Sequence, residues 1–388
     1  MGTANVPVAA QVVVKPTLFS PQNVRFRQQA FASLTPGVAN SPIPLQTGYI
    51  IRHMPVQLSF TLQTTGGTST TAANINMANI INSGAFEAVQ NLQVLINGTN
   101  PIRALPGSVL AMLQYFQQKQ PPMQQWTVTA GGAGNGYNGT AAVEAQLTLP
   151  FSLPDALHPI DTALDARLLP ANGLSAQVTC GSAANISSQA GIVFSQNPQI
   201  TFWGYESYPA INGFSPPLAV LIPSYPVPNT AGGATTGAAL QLQAQARNLS
   251  YKAFLIHAQT PAGVDVDAVT KFRLASGTDS IVDVDPRVWT RQLLAERGNY
   301  PLAWAAAPGG EATGVNNPFN IGINQSFGAN TNTNLTNPAG WYYIDLAQDG
   351  YLTESLNTGS IGSLFCYVDT NAAANVTVYP IQIWGQLM

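Results

Sequence analysis

The 388-residue sequence predicts an all-β fold written twice. Residues 200–204 read ITFWG and residues 381–385 read IQIWG, so nearly the same strand ending recurs 181 positions apart. Weaker matches between the two halves keep a common order at offsets of 178–186. Only 8% of residues are charged, against about 25% in ordinary domains. Polarity comes from Asn, Gln, Thr and Ser, with 34 Gly and 29 Pro. That composition favours many short strands joined by turns. A period near 180 means two copies of a domain, because solenoid periods run about 20–50 residues. The eight-stranded antiparallel sandwich of two Greek keys, the jelly roll, fits each copy. The expected architecture is two tandem eight-stranded jelly rolls, each with a short helix before a long loop.

Residues 1–45, rich in Pro and Gln without sustained periodicity, read as an amino-terminal arm with a short helical piece at PQNVRFRQQAFASL. The first roll is expected over 46–208. In VQLSFTLQT at 56–64, Val56, Leu58, Phe60 and Leu62 alternate onto one face of a strand. NLQVLIN at 91–97 reads as another strand. PGSVLAMLQYFQQK then reads as a helix, with Pro106 at its first position, where a missing N–H costs nothing. Val109, Leu113 and Phe116 share a face, and Pro121-Pro122 end the run. Residues 209–240, rich in Pro and Gly, read as a connector, and 241–388 as the second roll.

The second copy follows in order. Leu92 aligns with Phe272, Val94 with Leu274, and Pro106 with Pro286, which opens the helix PRVWTRQLLAERG carrying Trp289 and Leu293 on one face. Pro121 aligns with Pro301, Trp126 with Trp304, and Gly131-Gly132 with Gly309-Gly310. Cys366 is a loose counterpart of Cys180, and Trp203-Gly204 meets Trp384-Gly385 at the close. Polar stretches at 65–80, 127–145, 259–270 and 305–340 are the expected loop excursions.

Charge is also unevenly placed. Lys15, Arg25, Arg27 and Arg52 precede the first acidic residue, Glu87. A basic amino-terminal arm facing an anionic surface is the expectation from Lys15, Arg25 and Arg27. Four charges are too few for bulk nucleic-acid binding. A nearly uncharged surface provides little mutual repulsion, so copies approach closely. Two cysteines make no disulfide framework. The start MGTANVPVAAQVVVKPTLF lacks a basic region and is interrupted by prolines, and no apolar run approaches 18 residues. Folding in a reducing cytoplasm is the simplest expectation.

Catalytic constellations are scarce. His53 and His257 lie in or beside strand-like runs and read as structural. His158 lies near Asp155, Asp161 and Asp165, but in no zinc spacing. Asp265, Asp267, Asp279, Asp283 and Asp285 form the densest acidic run, read as turns and caps, with Asp285 capping the helix at Pro286. Trp203 and Trp384 read as packing residues rather than stacking platforms. No catalytic, metal or cofactor site is expected, and an enzyme is the least favoured reading. A secreted carbohydrate-binding or adhesin-like tandem sandwich is the rival class. An outer-membrane barrel is disfavoured by the two helices and the long repeat.

The segment DPRVWTRQLLAERGNYPLAWA (285–305) resembles the second-roll helix of the double-jelly-roll major capsid proteins of tectivirus-type phages. The likeness covers 46–388 in architecture and about 20 residues in sequence; the amino-terminal arm departs from the family's Gln-rich helical start. The resemblance implies a homotrimer whose six rolls give a pseudo-hexagonal capsomer. Such capsomers tile an icosahedral shell around an internal membrane and DNA. It implies loops facing outward as towers and the arm contacting the membrane below. Neighbouring trimers, vertex (penton) proteins and minor capsid proteins are the implied partners, with no sequence-specific nucleic acid. The implied place is the virion, after folding in a host bacterial cytoplasm.

Overall fold

The computed structural model describes residues 24–118, 123–207, 215–244, 248–297 and 340–385. The first half begins with β1 (Val24–Ser33), β2 (Ile43–Leu45), β3 (Ile50–Ile51) and β4 (His53–Thr64). There follow β5 (Val89–Ile96), β6 (Asn100–Leu105) and the helix α1 (Gly107–Gln118). It ends with β7 (Met123–Thr129), β8 (Thr140–Pro150), β9 (Leu164–Asp165), β10 (Leu174–Cys180) and β11 (Ile192–Ser207). The second half opens with β12 (Ala219–Leu221), β13 (Tyr225–Pro226), β14 (Thr235–Leu242) and β15 (Leu249–Gln259). Next come β16 (Val269–Ser276), β17 (Asp279–Val284) and α2 (Pro286–Arg297). The last strands are β18 (Trp341–Asp345), β19 (Leu356–Asn357), β20 (Leu364–Thr370) and β21 (Asn375–Trp384).

Each half is a jelly roll. The first pairs β1-β11-β4-β8 in one sheet and β2-β10-β5-β6 in the other, with β7 added beyond β8 and β3 and β9 extending the β11 side. The second pairs β12-β21-β15-β18 and β14-β20-β16-β17, with β13 and β19 added at the margins. In both, the eight main strands, taken in chain order, form the sheets 1-8-3-6 and 2-7-4-5, and the helix follows the fifth. Even local defects repeat. The β5–β6 ladder slips between Val94 and Leu95, and the β16–β17 ladder slips between Leu274 and Ala275, 180 positions on. Gly98 and Gly277, at φ of 71° and 59°, make the matching hairpin turns, a conformation that favours glycine.

The amino-terminal boundary differs from expectation. The stretch read as a helical piece of an arm is strand β1, paired with β11 from Val24↔Ser207 to Ser33↔Gln199. Leu34, Ile43 and Leu45, also inside 1–45, are buried in the core. The first roll therefore begins by Val24, not at 46. Likewise β12 to β14 lie within or begin inside the expected connector 209–240. β1 is an edge strand with most side chains exposed, and β12 is three residues long, so neither shows the alternation that reveals a half-buried strand. Of the expected loops, 127–145 contains a hairpin, because β7 and β8 pair from Met123↔Gln146 to Thr129↔Thr140.

Ladder partners also fix which residues are equivalent. Ile51 pairs with Leu164 and Glu206; Tyr251 pairs with Leu356 and Gln382. Further along, Val56 pairs with Leu147 and Phe202; Ile256 pairs with Tyr342 and Val378. Counting along these strands, Trp203 corresponds to Tyr379, and Trp384 falls five positions farther. The two Trp-Gly endings thus lie on equivalent strands, but not at equivalent positions. The helices are closer. Pro106 and Asp285 accept the first helical bonds, from Leu110 and Trp289 at 3.1 Å each, so Pro106 and Pro286 are one residue out of step. Cys366 faces Leu274 and Ala176 faces Val94, so Cys180 is not the counterpart of Cys366; both cysteines are buried and free. The matches at Pro121, Pro301, Trp304 and Gly309-Gly310 lie outside the described residues, as does nearly all of the 305–340 excursion.

Candidate functional site

The feature that most distinguishes this chain from a pair of separate sandwiches is the junction between its rolls. Every residue of β15 from Leu249 to Ala258 is buried. One set, including Phe254 and Ile256, packs inside the second roll. The other set, including Ala253 and Leu255, joins the core cluster of the first roll together with Trp341, Tyr343, Tyr379, Ile381 and Ile383. A sheet buried on both faces reads as a continuous apolar run, as β15 does. From the first roll, Phe116 of α1 stacks on Tyr343 with ring centroids 5.1 Å apart. Arg103 of β6 donates to the carbonyl of Val220 in β12. The core of the first roll therefore continues across the junction onto the second roll's sheet, while the second roll keeps a core of its own, and the burial that drives the contact is non-directional.

Two polar clusters give the junction its register. In the first, the Lys252 ammonium donates to Asp155 Oδ2 at 2.7 Å and to Asp345 Oδ1 and Oδ2 at 3.1 and 3.0 Å. Arg297, at the end of α2, pairs with Asp345 and lies 3.7 Å from Asp155. Two cations thus meet two carboxylates, with Asp155 alone contributed by the first roll. Burial works to lower the Lys252 pKa, and Tyr343, Asp155 and Asp345 together reverse it, so the amine stays charged. In the second cluster, Asp265 accepts from Trp341 Nε1 at 2.9 Å and lies 2.8 Å from His257 Nε2, whose ring stacks on Trp341. Asn82 of the first roll bridges to it, accepting from Asp265 N at 2.9 Å and donating to Gly263 O at 2.7 Å.

Glu87 stands beside this second cluster and accepts from Ser83 Oγ at 2.7 Å. Burial, aided by Asp265 and opposed by Ser83 and His257, pushes its carboxyl up from 4.5 to about 7. The folded protein holds that proton more tightly than the unfolded chain, so this group makes stability fall as pH rises from about 4.5 through 7. The full change corresponds to about 3 kcal/mol. Urea titrations at pH 5 and pH 8 are expected to show it, and a Glu87→Gln variant to flatten it. An unchanged slope in that variant would place the carboxyl elsewhere than in a closed pocket.

The expected site residues are dispersed. Lys15 lies outside the described residues. Arg25 and Arg27 are exposed on β1, but Arg27 pairs with the fully buried Glu206, which also accepts from Gln29 at 2.6 Å. Around the exposed His158, Asp155 turns to Lys252, and Asp165 binds Arg167 at 2.6 Å. The acidic run divides as well. Asp265 serves the junction, Asp267 accepts from Tyr342 at 2.5 Å, Asp283 meets Lys271, and Asp285 caps α2 through Arg287 N at 2.9 Å. Among the described residues no group of three or more His, Cys, Asp or Glu could hold a metal ion, and no helix is long and apolar enough to cross a membrane. Of the junction residues, the sequence points to Asp155 only as a neighbour of His158, and to Lys252, Asp345 and Arg297 not at all. A lysine inside LSYKAFLIHAQ, in a chain so poor in charge, is the signal that marks them.

Several loops of the two rolls meet at one end. Ala73 N donates to Tyr137 O at 2.9 Å, Asn76 N to Gln189 Oε1 at 2.8 Å, and Asn82 meets Gly263. Because β1 runs antiparallel to β11, Val24 and Arg25 lie at the opposite end.

No family model matches the sequence, and no curated protein is similar to it in sequence. Solved structures do match across nearly the whole chain. The major capsid protein of Sulfolobus turreted icosahedral virus aligns with a TM-score of 0.58 at 14% identity, covering 94% of this chain and 97% of that one. The major capsid protein P2 of bacteriophage PM2 aligns at 0.54 and 11% identity, covering 93% and 97%. The Faustovirus major capsid protein aligns at 0.51 and 8%, covering 97% and 93%. The chain has the double-jelly-roll fold. Both rolls of this double jelly roll are complete, and coverage of more than nine-tenths of each partner includes the junction between them.

Proposed function

We propose that this chain is the major capsid protein of an icosahedral virus. The observation that carries the reading is the junction: two jelly rolls packed through a common apolar cluster, in a fold that aligns over nearly its whole length with capsid proteins of three different viruses. In this reading it is a structural protein and not an enzyme. It assembles as a homotrimer whose six rolls form a pseudo-hexagonal capsomer, and trimers tile the shell by edge contacts with neighbours. A duplicated domain suits that task, because one polypeptide offers comparable walls in several directions.

The gathered loops form the outer towers. The exposed Arg25, at the opposite end, faces an internal membrane of the kind found in tectivirus-type phages; Lys15 of the proposed membrane-contacting arm lies outside the described residues. Vertex and minor capsid proteins complete the shell, and assembly follows folding in a bacterial cytoplasm. Sedimentation of the purified protein at micromolar concentration is expected to give about three times 40.9 kDa; a stable monomer would oppose the reading.

The rival carbohydrate-binding reading draws on one observation, an exposed aromatic stack. Phe26 lies over Trp203 at 5.3 Å and beside Tyr205 at 4.8 Å. A glycan screen of the purified protein is expected to show no binding.

A further inference from the structure

We infer that the outer face of the β1-β11-β4-β8 sheet is a docking surface for the α2 side of a second copy of this chain. The inference rests on the capsomer reading and deepens it, assigning the residues through which copies meet. The equivalences set by the ladders carry it. Along β4 and β15, Pro55 and Gln57 stand where Leu255 and His257 do, by the pairings that match Val56 with Ile256. On β11, Trp203 and Tyr205 stand where Tyr379 and Ile381 do. On β1, Phe26 pairs with Tyr205, and counting from Leu221↔Gln382 places it where Ile222 stands.

The two sets have opposite fates. Leu255, Tyr379, Ile381 and Ile222 are all buried and belong to the cluster shared with the first roll. Of their counterparts on the first roll, Pro55 is buried, Trp203 is half-buried, and Phe26 and Tyr205 are exposed. Phe26 is 53% exposed and Tyr205 37% exposed. Trp203 is half-buried beside Phe26, and together with Pro55, Gln57, Met123 and Glu144 they line a groove of about 270 Å³. Met123 is 58% exposed at its edge. The sheet face that is sealed in the second roll is partly exposed in the first.

What seals it inside the chain indicates what seals it between chains. The first roll presents α1, whose Phe116 stacks on the second roll's sheet. Aligned by the first helical bonds, Val109, Met112, Leu113 and Phe116 correspond to Val288, Arg291, Gln292 and Ala295. The α1 set is fully buried, while the α2 set is exposed. One chain therefore carries one covered pair of faces and, at its two flanks, the two halves of a second such pair. Each half is more polar than its internal counterpart, as suits a surface that must remain soluble before assembly. Charge agrees, since α2 brings the Arg291 cation to a groove that holds Glu144 and the faces of Phe26 and Trp203.

The contact is heterologous, sheet face against helix face, and such contacts close into rings when the rotation allows. Two substitutions test it. Phe26→Asp alters the sheet face and Arg291→Glu the helix face, both at exposed positions. Each alone is expected to weaken self-association about 100-fold or more, read by sedimentation velocity, with near-UV dichroism and the melting temperature of the subunit unchanged. An equimolar mixture of the two variants is expected to recover association as dimers, because each retains the half that the other lacks. If wild type is a trimer while both variants remain trimers, this surface is wrong and the capsomer reading stands. If the mixture recovers nothing while each variant dissociates, the contact is not sheet against helix. If wild type is itself a monomer, and an oligosaccharide binds the Phe26–Trp203 groove, both readings fail.

Discussion

A Lys252→Ala protein is expected to lose about 3–5 kcal/mol of stability, the usual cost of removing one member of a buried ion cluster. The side chain is fully enclosed, and both of its carboxylate partners are nearly so. Truncation leaves Asp155 and Asp345 sharing the single guanidinium of Arg297, which also donates to Phe116 O at 3.2 Å. Asp345 cannot turn to solvent, because its Oδ1 accepts from Ala347 N at 3.0 Å and the residue is entirely buried. Since a typical domain holds about 5–15 kcal/mol in all, a loss of this size makes the subunit marginal. Equilibrium denaturation in urea reads it directly. A loss below about 1 kcal/mol, the usual range of an exposed pair, would show that the cluster is solvated and does not hold the rolls in register.

Removing residues 1–45 is expected to destroy the first roll, whereas removing only 1–23 leaves both rolls folded. The longer deletion takes β1 from its ladder on β11 and strips Leu34, Ile43 and Leu45, which are 1%, 8% and 2% exposed. Each such side chain contributes about 1.5–3 kcal/mol through burial, so the three together approach the stability of a whole domain. The deletion also opens a long edge of β11, the kind of surface that recruits foreign strands. Near-UV dichroism and melting of the two truncated proteins separate the cases. A native-like protein lacking 1–45 would return β1 and β2 to the arm and contradict the assigned first strand.

The parts of the fold legible in the sequence were those whose burial is one-sided and regular. β4 shows it in Val56, Leu58, Phe60 and Leu62, and the helices show it in the proline and aspartate that open them. The duplication was legible because β5, β6 and α1 recur at offsets of 179–180 with no insertion between them. Elsewhere the offset drifts, from 200 along β4 and β15 to 176 along β11 and β21, because loops and bulges differ between the halves. An odd slip turns every side chain to the other face of a strand. That is why Trp203 and Trp384, five positions out of step, behave differently: Trp203 stacks outward on Phe26, and Trp384 packs against the second roll's core. β1 is not legible because most of its side chains are exposed, so Phe26, Arg27 and Phe31 break any alternating pattern. The junction was hidden for a different reason. Lys252, Arg297 and Asp345 are far apart in sequence and meet through the fold of the second roll, and only the packing of one roll on the other brings Asp155 to them.

The most direct measurement is cryo-electron microscopy of the purified, assembled protein. Particles with three-fold symmetry and six lobes, in which the Phe26–Trp203 face of one subunit lies against α2 of the next, are the expected result. Monomers, or two-fold dimers that leave that face open, would contradict the account.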